Sequence, residues 1–261
     1  MSAVISLAIS ILLLVPSVLE AAPIAVQLPE GNVRGFLILR SPEGAVIAHG
    51  ELRQRPRGGL LESRLSFEFK DGSVYDETVT FSQDRVFLLH AYRLRERGRS
   101  LPATDISFDR QSAHYEARMQ DEPGGPEKTA SGEFECPADV YNGMALVLLK
   151  NLPAAITEVQ LAAFLPKPRL ITMRLADEGR DEVVIGGQRK TATRYHVTLH
   201  VGGVAGVVAS LIGKTPPDLR YWLVSGDVPA FVKFQGAMYL KGPVWRIEPA
   251  AVEWPKADQI R

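Results

Sequence analysis

From residue 33 onward, apolar and polar positions alternate with a period of two along most of the chain. In 61–70, Leu61, Leu65, Phe67 and Phe69 fall on one face and Glu62, Arg64, Glu68 and Lys70 on the other. That is a strand with one buried and one wet side. Asp71-Gly72 follows at once, and 74–81 opens the next alternating run. An Asp-Gly pair between two such runs predicts a hairpin, because the positive φ of its turn matches strand twist. The same pattern predicts strands over 33–39, 45–53, 85–95, 104–109, 113–119 and 129–135, with Asp121-Glu122-Pro123-Gly124-Gly125-Pro126 as the turn before the last. Further on it predicts 158–165, 170–176, 182–185, 189–201, 219–225, 230–240 and 244–248.

One stretch departs from this rhythm. Pro137 breaks the strand pattern, and Asp139 is placed to cap a helix over about 139–151 in which Met144, Leu148 and Leu149 recur at helical spacing. Gly143 weakens its start and Pro153 closes it. The segment 202–213 reads as a buried helical turn or as an apolar loop, ended by Pro216-Pro217. Strands flanking one helix, without βαβ alternation, argue against a parallel sheet. The expected fold is mainly β: a curved antiparallel sheet or open half-barrel with the one helix, about 139–151, on its concave face. A two-sheet sandwich is the alternative. Residues 23–261 are expected to form a single β-rich domain, with a split near 137 or 153 as the other reading.

The first residues change the picture of where the chain works. An uncharged apolar run from Ala3 to Leu19 contains Pro16 and leads to Ala21-Ala22-Pro23. This is the hydrophobic core and small-residue cleavage region of an export signal over 1–22, cut near Ala21 or Ala22. The run is shorter than the ~20 residues that span a bilayer. Because Met1-Ser2-Ala3 carries no positive charge, an uncleaved N-terminal anchor is the alternative. The expected location is the periplasm or cell envelope. With 46% hydrophobic and 23% charged residues the chain has the material for a packed core. Thirty basic residues balance thirty acidic ones, so no global field draws it to nucleic acid. The basic run Arg93-Leu94-Arg95-Glu96-Arg97-Gly98-Arg99 reads as a solvated strand edge. The single cysteine, Cys136, cannot form an internal disulfide and reads as a small buried hydrophobe.

No motif names a reaction. His196 and His200 sit four apart within an alternating run, so on a strand they lie about 13 Å apart, too far to share one metal ion. Gly-x-Ser-x-Gly, His-Glu-x-x-His, P-loop and dinucleotide patterns are absent, and nothing joins Ser210 or Ser225 to His90 or His114. The acidic pairs Asp76-Glu77 and Asp181-Glu182 are adjacent, so on a strand their carboxylates face opposite ways. No cofactor or metal is expected. The candidates for ligand contact are Tyr141, Asn142 and Met144 at the start of the helix and Trp222, Phe231 and Trp245 in the later strands. Aromatic and apolar side chains are what line ligand pockets. For Asp139-Val140-Tyr141-Asn142-Gly143 the bland reading is a structural corner, and for the aromatics it is plain core. In 244–248 the alternation turns Trp245 inward.

Two segments carry a family resemblance: Asp139-Val140-Tyr141-Asn142-Gly143-Met144, and the run Tyr221-Trp222-Leu223-Val224-Ser225 through Pro229-Ala230-Phe231-Val232-Lys233-Phe234. Over the second half of the chain, these resemble the DUF3108 family of exported bacterial proteins and the half-barrel lipoprotein carriers of the LolA/LolB type. The resemblance implies an envelope location and an apolar ligand, and supplies no catalytic residues. The expected function is a non-enzymatic exported protein that binds a lipid, an acyl chain or an envelope partner in a curved sheet. A scaffolding envelope protein without ligand and a hydrolase with a site built from distant residues are the rivals.

Overall fold

The computed structural model describes residues 23–153, 157–201, 219–224, 226, 229–250 and 252–253. The export segment 1–22, the 202–213 segment, Ser210 and Ser225 lie outside the described residues. The strands are β1 (Val33–Arg40), β2 (Val46–Arg57), β3 (Leu60–Phe69), β4 (Val74–Gln83), β5 (Phe87–Arg97), β6 (Thr104–Asp109), β7 (His114–Met119) and β8 (Lys128–Glu133). Then come β9 (Val140–Tyr141), α1 (Ala145–Asn151), β10 (Glu158–Phe164), β11 (Pro168–Ile185), β12 (Gln188–Val201), β13 (Leu219–Val224), β14 (Ala230–Gly236), β15 (Trp245–Pro249) and β16 (Val252–Glu253).

They form one curved, open sheet. Its order runs from β8 back to β1, across to β15, and back to β9, with β16 pairing β11 off that path. Each half is an antiparallel meander of sequence neighbours, and among the described strands only β9 and β10 run parallel. A single seam joins the halves, where β1 meets β15 from Leu37↔Pro249 to Arg40↔Arg246. The Asp-Gly hairpin forms as the pattern predicts. Gly72 takes φ 83°, its N–H bonds the Phe69 carbonyl at 3.0 Å, and Asp71 Oδ1 accepts the Ser73 N–H at 2.9 Å.

Strand twist and bulges bend the sheet until its two ends face each other. Bulges interrupt the register at Leu39/Arg40, Thr80/Phe81, Asp177/Gly179 and Trp222/Leu223. Phe81, Phe87, Leu89, Phe108 and Tyr115 from one end share a core with Tyr141, Met144, Leu148 and Phe164 from the other. Tyr92 of β5 stacks on Phe164 of β10 at 6.1 Å between centroids. The link from Glu133 to Val140 joins the two edge strands, and seven such steps reach at most about 25 Å. Arg110 pins that link, donating from Nη1 to the Cys136 carbonyl at 2.5 Å, from Nη2 to the Pro137 carbonyl at 3.1 Å, and from Nε to the Leu89 carbonyl.

The helix is shorter than the sequence predicts. Val140 and Tyr141 are extended in β9, Gly143 turns the chain at φ 64°, and α1 occupies only Ala145–Asn151. Met144 stands at its N-cap without a side-chain cap, so Asp139 caps nothing. The positive φ at Gly143 ends any helix begun upstream. Val147 and Leu148 still turn into the core, so α1 lies on the concave face as expected. The two strands expected at 170–176 and 182–185 are one, β11, whose polar middle stays paired to β12 through the bulge at Gly179. No described helix is long and apolar enough to cross a membrane.

A strap formed by residues 24–30 seals one end of the curl. The Ile24 carbonyl accepts the Phe87 N–H and its N–H bonds the Tyr141 hydroxyl, both at 2.9 Å. Asn151 Oδ1 accepts the N–H groups of Gln27 and Leu28, Gln83 exchanges two bonds with the Glu30 backbone, and Glu30 pairs with Lys150.

Candidate functional site

At the end of the curl away from the strap, the inner faces of β4 to β7 change character. Along one register row, Tyr75 lies opposite Glu96, Glu96 opposite Thr104, and Thr104 opposite Met119. In the next row Glu77 lies opposite Leu94, and Leu94 opposite Ile106. Alternation separates the neighbouring charges. Asp76 points out and binds Arg64 through two bonds of 2.8 and 2.6 Å, while Glu77 points in. Likewise Arg93, Arg95 and Arg97 are exposed whereas Leu94 and Glu96 turn inward. The basic run is therefore the outer face of a strand paired on both sides, and not the edge its composition suggests.

A cavity of about 190 Å³ opens here, between β5, β6, the turn after β10 and the β14–β15 connection. Its walls are mostly apolar, including Leu94, Ile106, Met119, Phe164, Leu165 and Met238, and its one charged lining residue is Glu96. Glu96 is 4% exposed, and its Oε1 has no hydrogen-bond partner among the described residues. Burial is the main force raising its pKa to about 7; Glu77's charge adds to this and Thr104's hydrogen bond opposes it.

Glu77 is the second inward carboxyl. It accepts the Tyr92 hydroxyl at 3.0 Å and a bond from Tyr75, yet burial still holds its pKa above the usual carboxylate range. Burial, reinforced by Glu77, pushes the Tyr75, Tyr92 and Tyr221 hydroxyls up, so they stay protonated and act as donors. The arrangement can accept hydrogen bonds and positive charge from a ligand in a largely apolar pocket. Among the described residues, no group of three His, Cys, Asp or Glu could hold a metal ion.

The structure separates the six candidates read from the sequence. Asn142 lines the cavity, its Oδ1 accepting the Gly143 N–H at 2.9 Å. Tyr141 is a structural corner, buried and tied to Ile24, and Met144 packs in the core under it. Trp245 turns inward as expected and stands 5.9 Å behind Tyr239, which lines the cavity. Phe231 is half-buried against the cluster around Leu39 and Phe67. Trp222 faces the outside of the sheet in a different cluster, its Nε1 donating to Asp181 at 2.6 Å and the Lys233 ammonium lying 3.8 Å over its ring. Burial lowers the Lys233 pKa to about 8. Trp222 borders a second, open groove of about 380 Å³ with Glu178, Arg194, Arg220 and Gln235. Those charges already pair: Glu178 binds Arg220 at 2.8 Å and Arg194 at 3.2 Å. Cys136 is buried and its thiol is pushed up, as a packed hydrophobe would be.

Glu77 and Glu96, which the sequence shows only as half of an acidic pair and as part of a basic run, are the inward carboxyls. The signal was present: each is in phase with its strand's inward aromatics, Glu77 with Tyr75 and Glu96 with Tyr92. The chain matches no family model, and neither its sequence nor its fold matches a curated protein or a solved structure.

Proposed function

We propose that this is an exported binding protein that holds a small apolar ligand in the open end of its curled sheet. The observation that carries the reading is the cavity itself, walled by apolar side chains and furnished with one unpartnered polar group. A pocket of that design fixes the orientation of a ligand whose body is apolar. Its volume limits the occupant, since an apolar cavity of about 150 Å³ holds benzene. A ring or short alkyl chain fits whole at about 190 Å³, and a longer acyl chain would have to extend through the mouth. The export signal read at 1–22 supports the exported part of this reading.

Native mass spectrometry of protein purified from the envelope, followed by solvent extraction of the same sample, tests it. The expected result is a reproducible small mass that leaves on denaturation. Binding is expected to weaken when Leu94→Phe fills the cavity. A clean unliganded mass, with no thermal shift from any small aromatic or alkyl compound, would overturn the reading.

A further inference from the structure

The chemistry of the cavity says more about its occupant than that it is apolar. Glu96 lines the cavity, is 4% exposed, and carries a carboxyl oxygen without a partner among the described residues. A buried carboxyl oxygen without a donor is expensive even where Thr104 serves the other, so a ligand that supplies one gains more than its contact area provides. Glu77 adds a second inward carboxyl on the neighbouring strand, and none of the lining residues is Lys, Arg or His. A ligand carboxylate or phosphate would therefore meet negative charge with no counter-ion on the wall. A protonated amine supplies both the N–H donors and the opposite charge. The walls suit a cation in a second way. Tyr92, Phe164 and Tyr239 line the same cavity, and aromatic faces attract an ammonium within about 6 Å of the ring centre.

We infer that the ligand is a small amphiphile with a protonated amino group, received by Glu96 while its apolar body fills the cavity. This rests on the pocket reading above and sharpens it to one ligand class. The groups facing Glu96 are Glu77 and Tyr75 from β4, Tyr92 on its own strand, Thr104 from β6 and Tyr239 from the β14–β15 connection. Among them Glu77 is the one carboxyl and the rest carry hydroxyls, of which Thr104's bonds to Glu96. The acidic interior therefore disfavours the free fatty acid that an acyl-carrier reading would suggest.

The test is calorimetric titration of the full chain at pH 8 with benzylamine, benzyl alcohol and benzoate, matched in size and differing in head group. Benzylamine is expected to bind at least tenfold tighter than benzyl alcohol, with benzoate weakest. Glu96→Gln is expected to abolish the preference for benzylamine over the alcohol, while a cooperative thermal unfolding transition at or above the parent's shows that the variant is folded. Equal binding of amine and alcohol by the parent protein would overturn the amine inference and leave the apolar pocket standing. An amine preference that survives Glu96→Gln would remove Glu96 from the role. Benzoate binding tightest would reverse the charge argument, and no binding of any of the three would sink the pocket reading with it.

Discussion

Phe81 pairs with Leu89 near one end of β4 and β5, and Tyr75 pairs with Glu96 at the other. At the first end Phe81, Phe87 and Leu89 are fully buried, Phe81 and Phe87 meet edge to face at 6.0 Å, and the strap from Ile24 closes over them. At the second, the same inward face carries carboxyls and hydroxyls around a cavity. The two strands thus hold two contrary solutions within a few residues. The sealed end gains stability from packing, and the open end gives some up by burying a carboxyl oxygen without a partner among the described residues. A buried carboxyl oxygen left without a partner makes no sense as a fold-stabilising choice, which is why it marks the end where a ligand belongs.

The comparison breaks most sharply at Phe87. Phe87→Ala is expected to cost about 3–5 kcal/mol in urea unfolding, from lost burial and the cavity left behind, without changing ligand affinity of the folded fraction. A loss below about 1 kcal/mol would show the sealed end to be no tighter than the mouth.

Glu96→Gln should do the opposite. The folded pKa of about 7 lies above the ordinary 4.5, so the folded state binds the extra proton between those values. The contribution of Glu96 to parent stability is then greatest below pH 4.5, falls as pH rises through 7, and stays low above it. A shift of that size corresponds to about 3 kcal/mol. The variant is expected to gain up to that amount at pH 8 and nothing at pH 4; equal effects at both would show that Glu96 does not titrate near neutrality.

Smaller effects refine the strap and the outer face. Asn151→Ala strands the N–H groups of Gln27 and Leu28 and should cost about 1–3 kcal/mol, with faster amide exchange at those two positions. Arg64→Ala removes an exposed pair with Asp76 on the outer face and should cost less than about 1 kcal/mol, most of it already gone at high salt.

Much of the fold was legible because period-two alternation and turn chemistry are local. The 61–81 hairpin forms within a residue or two of its expected bounds, since Asp71 and Gly72 specify the turn and the facing Phe and Tyr positions specify the register. The helix was overextended because apolar spacing cannot see that Gly143 adopts φ 64° beneath the Tyr92 ring, where an added Cβ would meet that ring at 3.1 Å. The cavity was not legible. Tyr92 and Phe164 are 72 residues apart and meet only because the sheet curls, and no pattern within either strand records that meeting. Glu96 was hidden for a different reason: three arginines around it on alternate positions made the stretch look like surface.

The seam between β1 and β15 has a consequence for how the chain reaches this shape. Every other neighbouring pair in the main path joins elements close in sequence, but Arg40 and Glu248, which form an ion pair across the seam, are 208 residues apart. Loop closure of that length is paid before its contacts reward it, so each meander is expected to zip from its own hairpins first and the seam to close last. Ile247→Val in the seam should then speed unfolding and leave the refolding rate unchanged, whereas Phe67→Leu in the β3–β4 hairpin should slow refolding. β1 and β15, far apart along the chain, act as the clasp of the fold.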